Sequence, residues 1–278
     1  MGSVTKRILM GTTLVVGVAL LLFGYEASPV RWRAGVPWGV ALVLSWLGAG
    51  EVAAMGGFQR PGFTALLRGS VVLTAGLVWW GRAGIGGVPA LETPWAALLL
   101  AALFVGLAAL VVSGQARKRS ALLAVWVAVP LFGLVALGSQ WGTRGLLILI
   151  LLSKVGDIFG YFVGRAIGER RPFPNLSPGK TVAGCVASLL SAILTGALLG
   201  GFGVLPGEAS GWVTGAIAGL VLNLASQAGD LLESKVKRTG GVKDSGTLFG
   251  PAGGVLDVVD SLLLSLPTAL AVWPWLFG

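Results

Sequence analysis

Apolar residues run along this chain in long blocks, and short polar stretches between the blocks hold most of the charge. A helix that crosses a bilayer needs roughly 20 mostly apolar residues. By that length the pattern predicts about nine spans, near residues 8–25, 36–56, 65–81, 94–113, 120–138, 146–164, 181–201, 212–232 and 255–275. The expected fold class is therefore all-α, a polytopic transmembrane helical protein. Charged residues also fall inside the apolar blocks. Glu51 falls in the second span, Lys154 and Asp157 in the sixth, and Asp230 closes the eighth.

Composition supports the pattern. Hydrophobic residues make up 55% of the chain and charged residues 11%, against about 25% charge in an ordinary soluble domain. A soluble protein of 278 residues has no way to bury that much apolar surface, whereas lipid covers it. The net charge of +9 is compatible with nucleic acid, but in a membrane protein it reads as basic loops facing anionic lipid head groups. The partner expected from charge is the bilayer, with no nucleic acid. The chain contains no histidine, which removes an imidazole base, a Ser-His-Asp triad and histidine-ligated zinc. Cys185 stands alone and reads as a packing residue. A metal here must sit on oxygen ligands, which favours hard ions such as magnesium.

Charge also sets the expected orientation. With the amino terminus in the cytoplasm and an uncleaved first helix after Lys6 and Arg7, alternation puts most of the 20 basic residues inside, and only Arg31, Arg33, Arg82 and Arg144 outside. All the tryptophans except Trp46 and Trp126 then fall at the outer ends of spans, where indole rings prefer the interface. The short loops and the lack of a transit-like leader favour a bacterial inner membrane. The chain is expected to divide into residues 1–140, carrying the first five spans, and residues 141–278. The second part carries the last four spans and two cytoplasmic loops, 165–180 and 233–254.

The acids are few, and six of the 11 gather near the inner ends of the last four spans: Asp157, Asp230, Glu233, Asp244, Asp257 and Asp260. Asp257 and Asp260, three apart, share one face if they lie on a helix; Asp230 and Glu233 have the same spacing. Carboxylates this close repel unless a cation relieves them, and a divalent metal or the neighbouring Lys235, Lys237, Arg238 and Lys243 would each do so. The glycine-rich loop from Ser234 to Gly254 lets backbone N–H groups approach phosphate, and equally reads as a solvated basic loop. Ser177-Pro178 before Lys180-Thr181 reads as a serine N-cap with proline in the first turn of the seventh span. The same helix start, with Lys180, would suit an anion.

The run from Ser234 to Asp260 resembles the signature of the phosphatidate cytidylyltransferase family. Ser234, Lys237, Arg238, Lys243, Asp244, Gly246, Phe249, Gly250, Gly253, Gly254, Asp257 and Asp260 stand at its required positions. The segment Ser226 to Ser234, the Ser177-Pro178-Gly179-Lys180-Thr181 element, and Asp157 with Tyr161 and Gly164 resemble other family stretches, so the likeness covers about residues 145–270. Two positions depart: the signature histidine is Ala252 and its arginine is Val258.

The resemblance implies transfer of a cytidylyl group from CTP to phosphatidic acid, with magnesium as cofactor, giving CDP-diacylglycerol and pyrophosphate. It implies Asp244, Asp257 and Asp260 as catalytic metal ligands with Lys243, and Asp230 as a further ligand. Lys237, Arg238, Lys243, Gly253 and Gly254 would hold CTP phosphates. Ser177, Lys180 and Thr181 would hold substrate phosphate, and Asp157 and Glu233 would support the site. The active site would face the cytoplasm, and the expected assembly is a homodimer. Rival readings are the same chemistry on another lipid phosphate, an impaired paralogue because of Ala252 and Val258, and an ion or solute transporter built on the intramembrane charges.

Overall fold

The computed structural model describes residues 35–55, 64–65, 68–69, 72, 115–207, 211–250 and 253–278. The expected spans near 8–25 and 94–113, most of that near 65–81, and Ala252 lie outside the described residues. The elements are α1 (Gly35–Met55), α2 (Gln115–Ile167), α3 (Val182–Gly201), α4 (Trp212–Thr239), α5 (Val255–Val259) and α6 (Leu262–Phe277). Among the described residues there is no strand, so the all-helical expectation holds there. Gln140–Ile167, Val182–Gly201, Trp212–Thr239 and Val255–Phe277 are long and apolar enough to cross a membrane.

Two sequence expectations change at the level of backbone. The fifth and sixth spans are two helical stretches of α2 that meet at a kink at Gly142 (φ 62, ψ −164) rather than across a longer loop, a conformation that glycine alone reaches without strain. The ninth span is not one continuous helix. α5 ends at Val259 and α6 begins at Leu262, so Asp260 sits in the break. The regular helix that would put Asp257 and Asp260 on one face is thus interrupted at residues 260 and 261.

The chain packs as two compact units, residues 1–139 with 240–258, and residues 140–239 with 259–278. In the first unit α1 buries Ala41, Ser45, Ala49, Val52 and Ala53. Trp46, one of the two tryptophans outside the interfacial pattern, lies under the Arg68 guanidinium, 5.5 Å from its ring centre.

The second unit is held by small residues. In lipid no hydrophobic force drives helices together, so close backbone packing must do it. The buried face of α3 repeats every fourth residue as Gly184, Ser188, Ala192, Gly196 and Gly200. Gly196 lies against Gly215 of α4, where a Cβ would come within 2.2 Å of the Gly215 carbonyl oxygen, and Gly219 lies against Ala192 in the same way. Toward the start of α3 the same face meets Gly156, Gly160 and Gly164 of α2 through Ser188 and Gly184. Polar glue adds to this contact. Asn223 donates from Nδ2 to Ser188 Oγ at 3.0 Å, and Gln227 Nε2 donates to Asn223 Oδ1 at 2.6 Å. At one end Trp141, Trp273 and Phe277 pack edge to face, with centroids 5.5 to 6.3 Å apart.

Candidate active site

Close packing of α2, α3 and α4 brings their polar residues together where α3 and α6 begin. Lys154 and Asp157 come from α2, Lys180 stands just before α3, Asp230 and Glu233 lie on α4, and Asp260 leads into α6. A glycine matters here as well. Gly229 lies against the Asp260 carbonyl, which a Cβ would approach to 2.6 Å. This lets α4 come close enough to set Asp230 beside Asp260.

Carboxylate oxygens of Asp230, Glu233 and Asp260 all lie within 4.8 Å of one another. Each acid has a lysine beside it. Lys180 Nζ is 2.7 Å from Asp230 Oδ2, Lys237 Nζ is 2.6 Å from Glu233 Oε2, and Lys154 Nζ is 3.7 Å from Asp260 Oδ1 and 3.4 Å from Asp157 Oδ2. Lysines thus offset the acids in part, and two of them, Lys154 and Lys180, lie outside the basic loop that the sequence offers for that task. The ligand set also fits a metal: three hard oxygen donors from separate carboxylates within one small volume suit a divalent ion such as magnesium.

The element around Ser177 departs from its expected form. Ser177 is not the N-cap. Pro178 and Gly179 form the centre of a turn closed by Lys180 N–H donating to the Ser177 carbonyl at 3.1 Å. Thr181 caps α3 instead, its Oγ1 accepting from Gly184 N–H at 3.1 Å. Its hydroxyl oxygen serves the helix as an acceptor, and the turn and cap together fix the backbone on both sides of Lys180.

In the first unit, Asp257 sits in a different environment. Its Oδ2 accepts from Ser245 N–H at 2.7 Å, Ser245 Oγ at 2.8 Å and Gly254 N–H at 2.8 Å. This is the arrangement of a carboxylate in a first helical turn reaching back to cap its own helix. Gly253 (φ 86) leaves room for it, and Gly254 leaves room for Glu51, whose carboxylate a Cβ on Gly254 would approach to 2.3 Å. Both glycines thus make space for acids. Lys243 and Asp244 are exposed on the loop just before, and Arg238 is exposed at the end of α4. Gly254→Ala is expected to raise the unfolding tendency by about 1–3 kcal/mol through that clash. Thermal melting in detergent, compared with Gly179→Ala, whose Cβ meets nothing within 4 Å, checks it.

Sequence reasoning left two functional candidates unassigned, Lys154 and Glu51. The signal for both is the same: an ionisable residue inside an apolar span has a task by default.

A bundle of apolar helices that gathers acids and lysines around one end defines a membrane protein with a site suited to phosphates and a hard cation. The chain belongs to the cytidylyltransferase family, whose model matches residues 5–275. It is 40% identical over 131 residues to a phosphatidate cytidylyltransferase of Chlamydia muridarum, covering 45% of this chain and 42% of the relative. It is 43% identical over 122 residues to one of Brucella abortus, covering 44% and 42%. An uncharacterized Escherichia coli protein, YnbB, is 34% identical over 128 residues, covering 46% and 42%. The shared stretch thus spans less than half the length of these curated relatives.

Proposed function

We propose that this protein transfers the cytidylyl group of CTP to phosphatidic acid, releasing pyrophosphate and forming CDP-diacylglycerol for phospholipid synthesis. The observation that carries the reading is the convergence of Asp230, Glu233 and Asp260 with Lys154 and Lys180. A phosphate oxygen of the lipid attacks the α-phosphorus of CTP, the bond to the β-phosphate oxygen breaks, and pyrophosphate leaves with that electron pair. Two polyanions must meet, so charge neutralisation is the main demand on the protein. The attacking phosphate is already anionic near neutral pH, so a chain without histidine lacks nothing essential.

Asp230, Glu233 and Asp260 would hold magnesium, which when bound supplies positive charge to the phosphates. Lys180 exchanges Asp230 for a phosphate oxygen as substrate enters, guided by the rigid turn and cap on either side of it. Lys154 keeps Asp157 and Asp260 in place. Lys237, Arg238 and Lys243 take the nucleotide phosphates, with Ser177 at the edge of the same lysine turn. The part of Asp244 and Asp257 in metal binding rests on their motif positions. The wider frame is a nine-span protein with a cytoplasmic amino terminus and an inner-membrane location. Residues 1–140 act as scaffold, residues 141–278 carry the chemistry, and the assembly is a homodimer.

A transporter fits less well. Its site belongs near the bilayer midplane, whereas this cluster lies where α3 and α6 start. Purified protein with CTP and magnesium is expected to release pyrophosphate only when phosphatidic acid is present. Pyrophosphate release that is indifferent to the lipid, or absent from folded protein, would contradict the proposal.

A further inference from the structure

We infer that Glu51, on a helix that carries no part of the family signature, is a positioning residue for nucleotide binding. The inference rests on the proposed use of CTP. Glu51 lies one turn from the end of α1. Its Oε1 accepts from Val255 N–H at 2.7 Å, and its Oε2 accepts from Leu256 N–H at 3.0 Å and Ser245 Oγ at 2.7 Å. These two N–H groups belong to the first turn of α5, where a helix leaves its donors without internal acceptors. A carboxylate there is favoured both as an acceptor and by the helix dipole.

The same Ser245 hydroxyl also meets Asp257 Oδ2 at 2.8 Å. The hydroxyl has one proton to give, so Glu51, from a separate span, and Asp257, from the helix that follows the loop, share it, while the Ser245 N–H bonds Asp257 alone. Gly246 and Gly254 admit the Glu51 carboxylate, since a Cβ on them would lie 2.9 and 2.3 Å from its Oε1. Lys243 and Asp244 immediately precede Ser245 and are exposed. Further along, Gly250 N–H donates to Thr247 O at 2.9 Å and Gly253 N–H donates to Gly250 O at 3.1 Å. The backbone leading back to Lys243 is anchored at Ser245. Glu51 therefore sets where Lys243 starts, and so how well it meets the nucleotide phosphates.

Glu51→Gln keeps the shape but turns an amide donor toward groups that are themselves donors. It is expected to raise the KM for CTP about tenfold while the KM for phosphatidic acid stays within about twofold. Equilibrium dialysis with labelled CTP is expected to show the same loss of affinity. Glu51→Asp, which keeps the charge, is expected to fall between wild type and Glu51→Gln. Ser245→Ala should weaken CTP binding in the same direction, and the double variant should lose less than the sum of the two single losses, because the two side chains share one contact. All rates are taken per folded protein recovered by size exclusion, so a loss of folding alone moves neither KM. Wild type that binds CTP but forms no lipid product would overturn the reaction and leave the affinity comparison standing. Equal CTP affinity in wild type and Glu51→Gln, or strictly additive effects with Ser245→Ala, would overturn the role of Glu51.

Discussion

Replacing Asp260 by asparagine is expected to lower turnover by about 100-fold or more, because it deletes charge where transition-state charge must be offset. Asp260 occupies the break between α5 and α6, with Ser261 N–H donating to its Oδ1 at 2.5 Å. Its carboxylate lies 3.7 Å from Lys154 Nζ and groups with those of Asp230 and Glu233. Asparagine has nearly the same shape and keeps an acceptor for Ser261, so the bundle is expected to fold. It holds no charge for a cation, and it takes from Lys154 one of its acidic neighbours while Asp157 stays at 3.4 Å. Initial rates across magnesium concentrations, together with detergent melting curves, measure both effects. A variant with near-wild-type turnover would remove Asp260 from the site.

The second large effect falls on folding. Gly196→Val is expected to cost about 3 kcal/mol or more, at the upper end of overpacking penalties, and to lower the yield of folded protein sharply. At Gly196 an added Cβ would meet backbone, 2.2 Å from Gly215 O and 3.1 Å from Gly219 N, so no side chain can swing aside to accept it. The two helices would have to separate, and with them Lys180 from Asp230, which α3 and α4 bring to 2.7 Å. Gly211→Ala is the control, because its Cβ meets only Thr214 Oγ1 at 4.0 Å. Melting temperature and recovery from size exclusion for the two variants compare the close contact with the open one.

These two predictions show where sequence was informative. The apolar blocks located α1, α3 and α4 to within a few residues at most ends, because lipid-facing length is written directly in composition. The far end of α4 runs on to Thr239, beyond the block, because its last turns are polar and amphipathic instead of apolar. Asp230 and Asp260 stood out as acids in a chain with few of them. What sequence did not show was their grouping. The three-residue spacing of Asp257 and Asp260 pointed to one helical face, whereas Asp257 is held by Ser245 and Gly254 and Asp260 lies beside Lys154. Nor could the cap of α3 be read, since Ser177-Pro178 and Thr181 are both good local starts. The choice falls to Thr181 because Pro178-Gly179 closes a turn first. The partners of Glu51 lie about two hundred residues away in sequence, a separation that no local pattern encodes.

The site's central claim is that the α-phosphorus of CTP ends on a lipid. The measurement that tests it most directly is incubation of purified protein with phosphatidic acid and magnesium, using CTP labelled either at the α- or at the γ-phosphate, followed by lipid extraction. The account predicts label in the lipid from α-labelled CTP, with γ-label recovered only as pyrophosphate. Lipid labelled from the γ-position, or no labelled lipid from folded protein with either nucleotide, would contradict it.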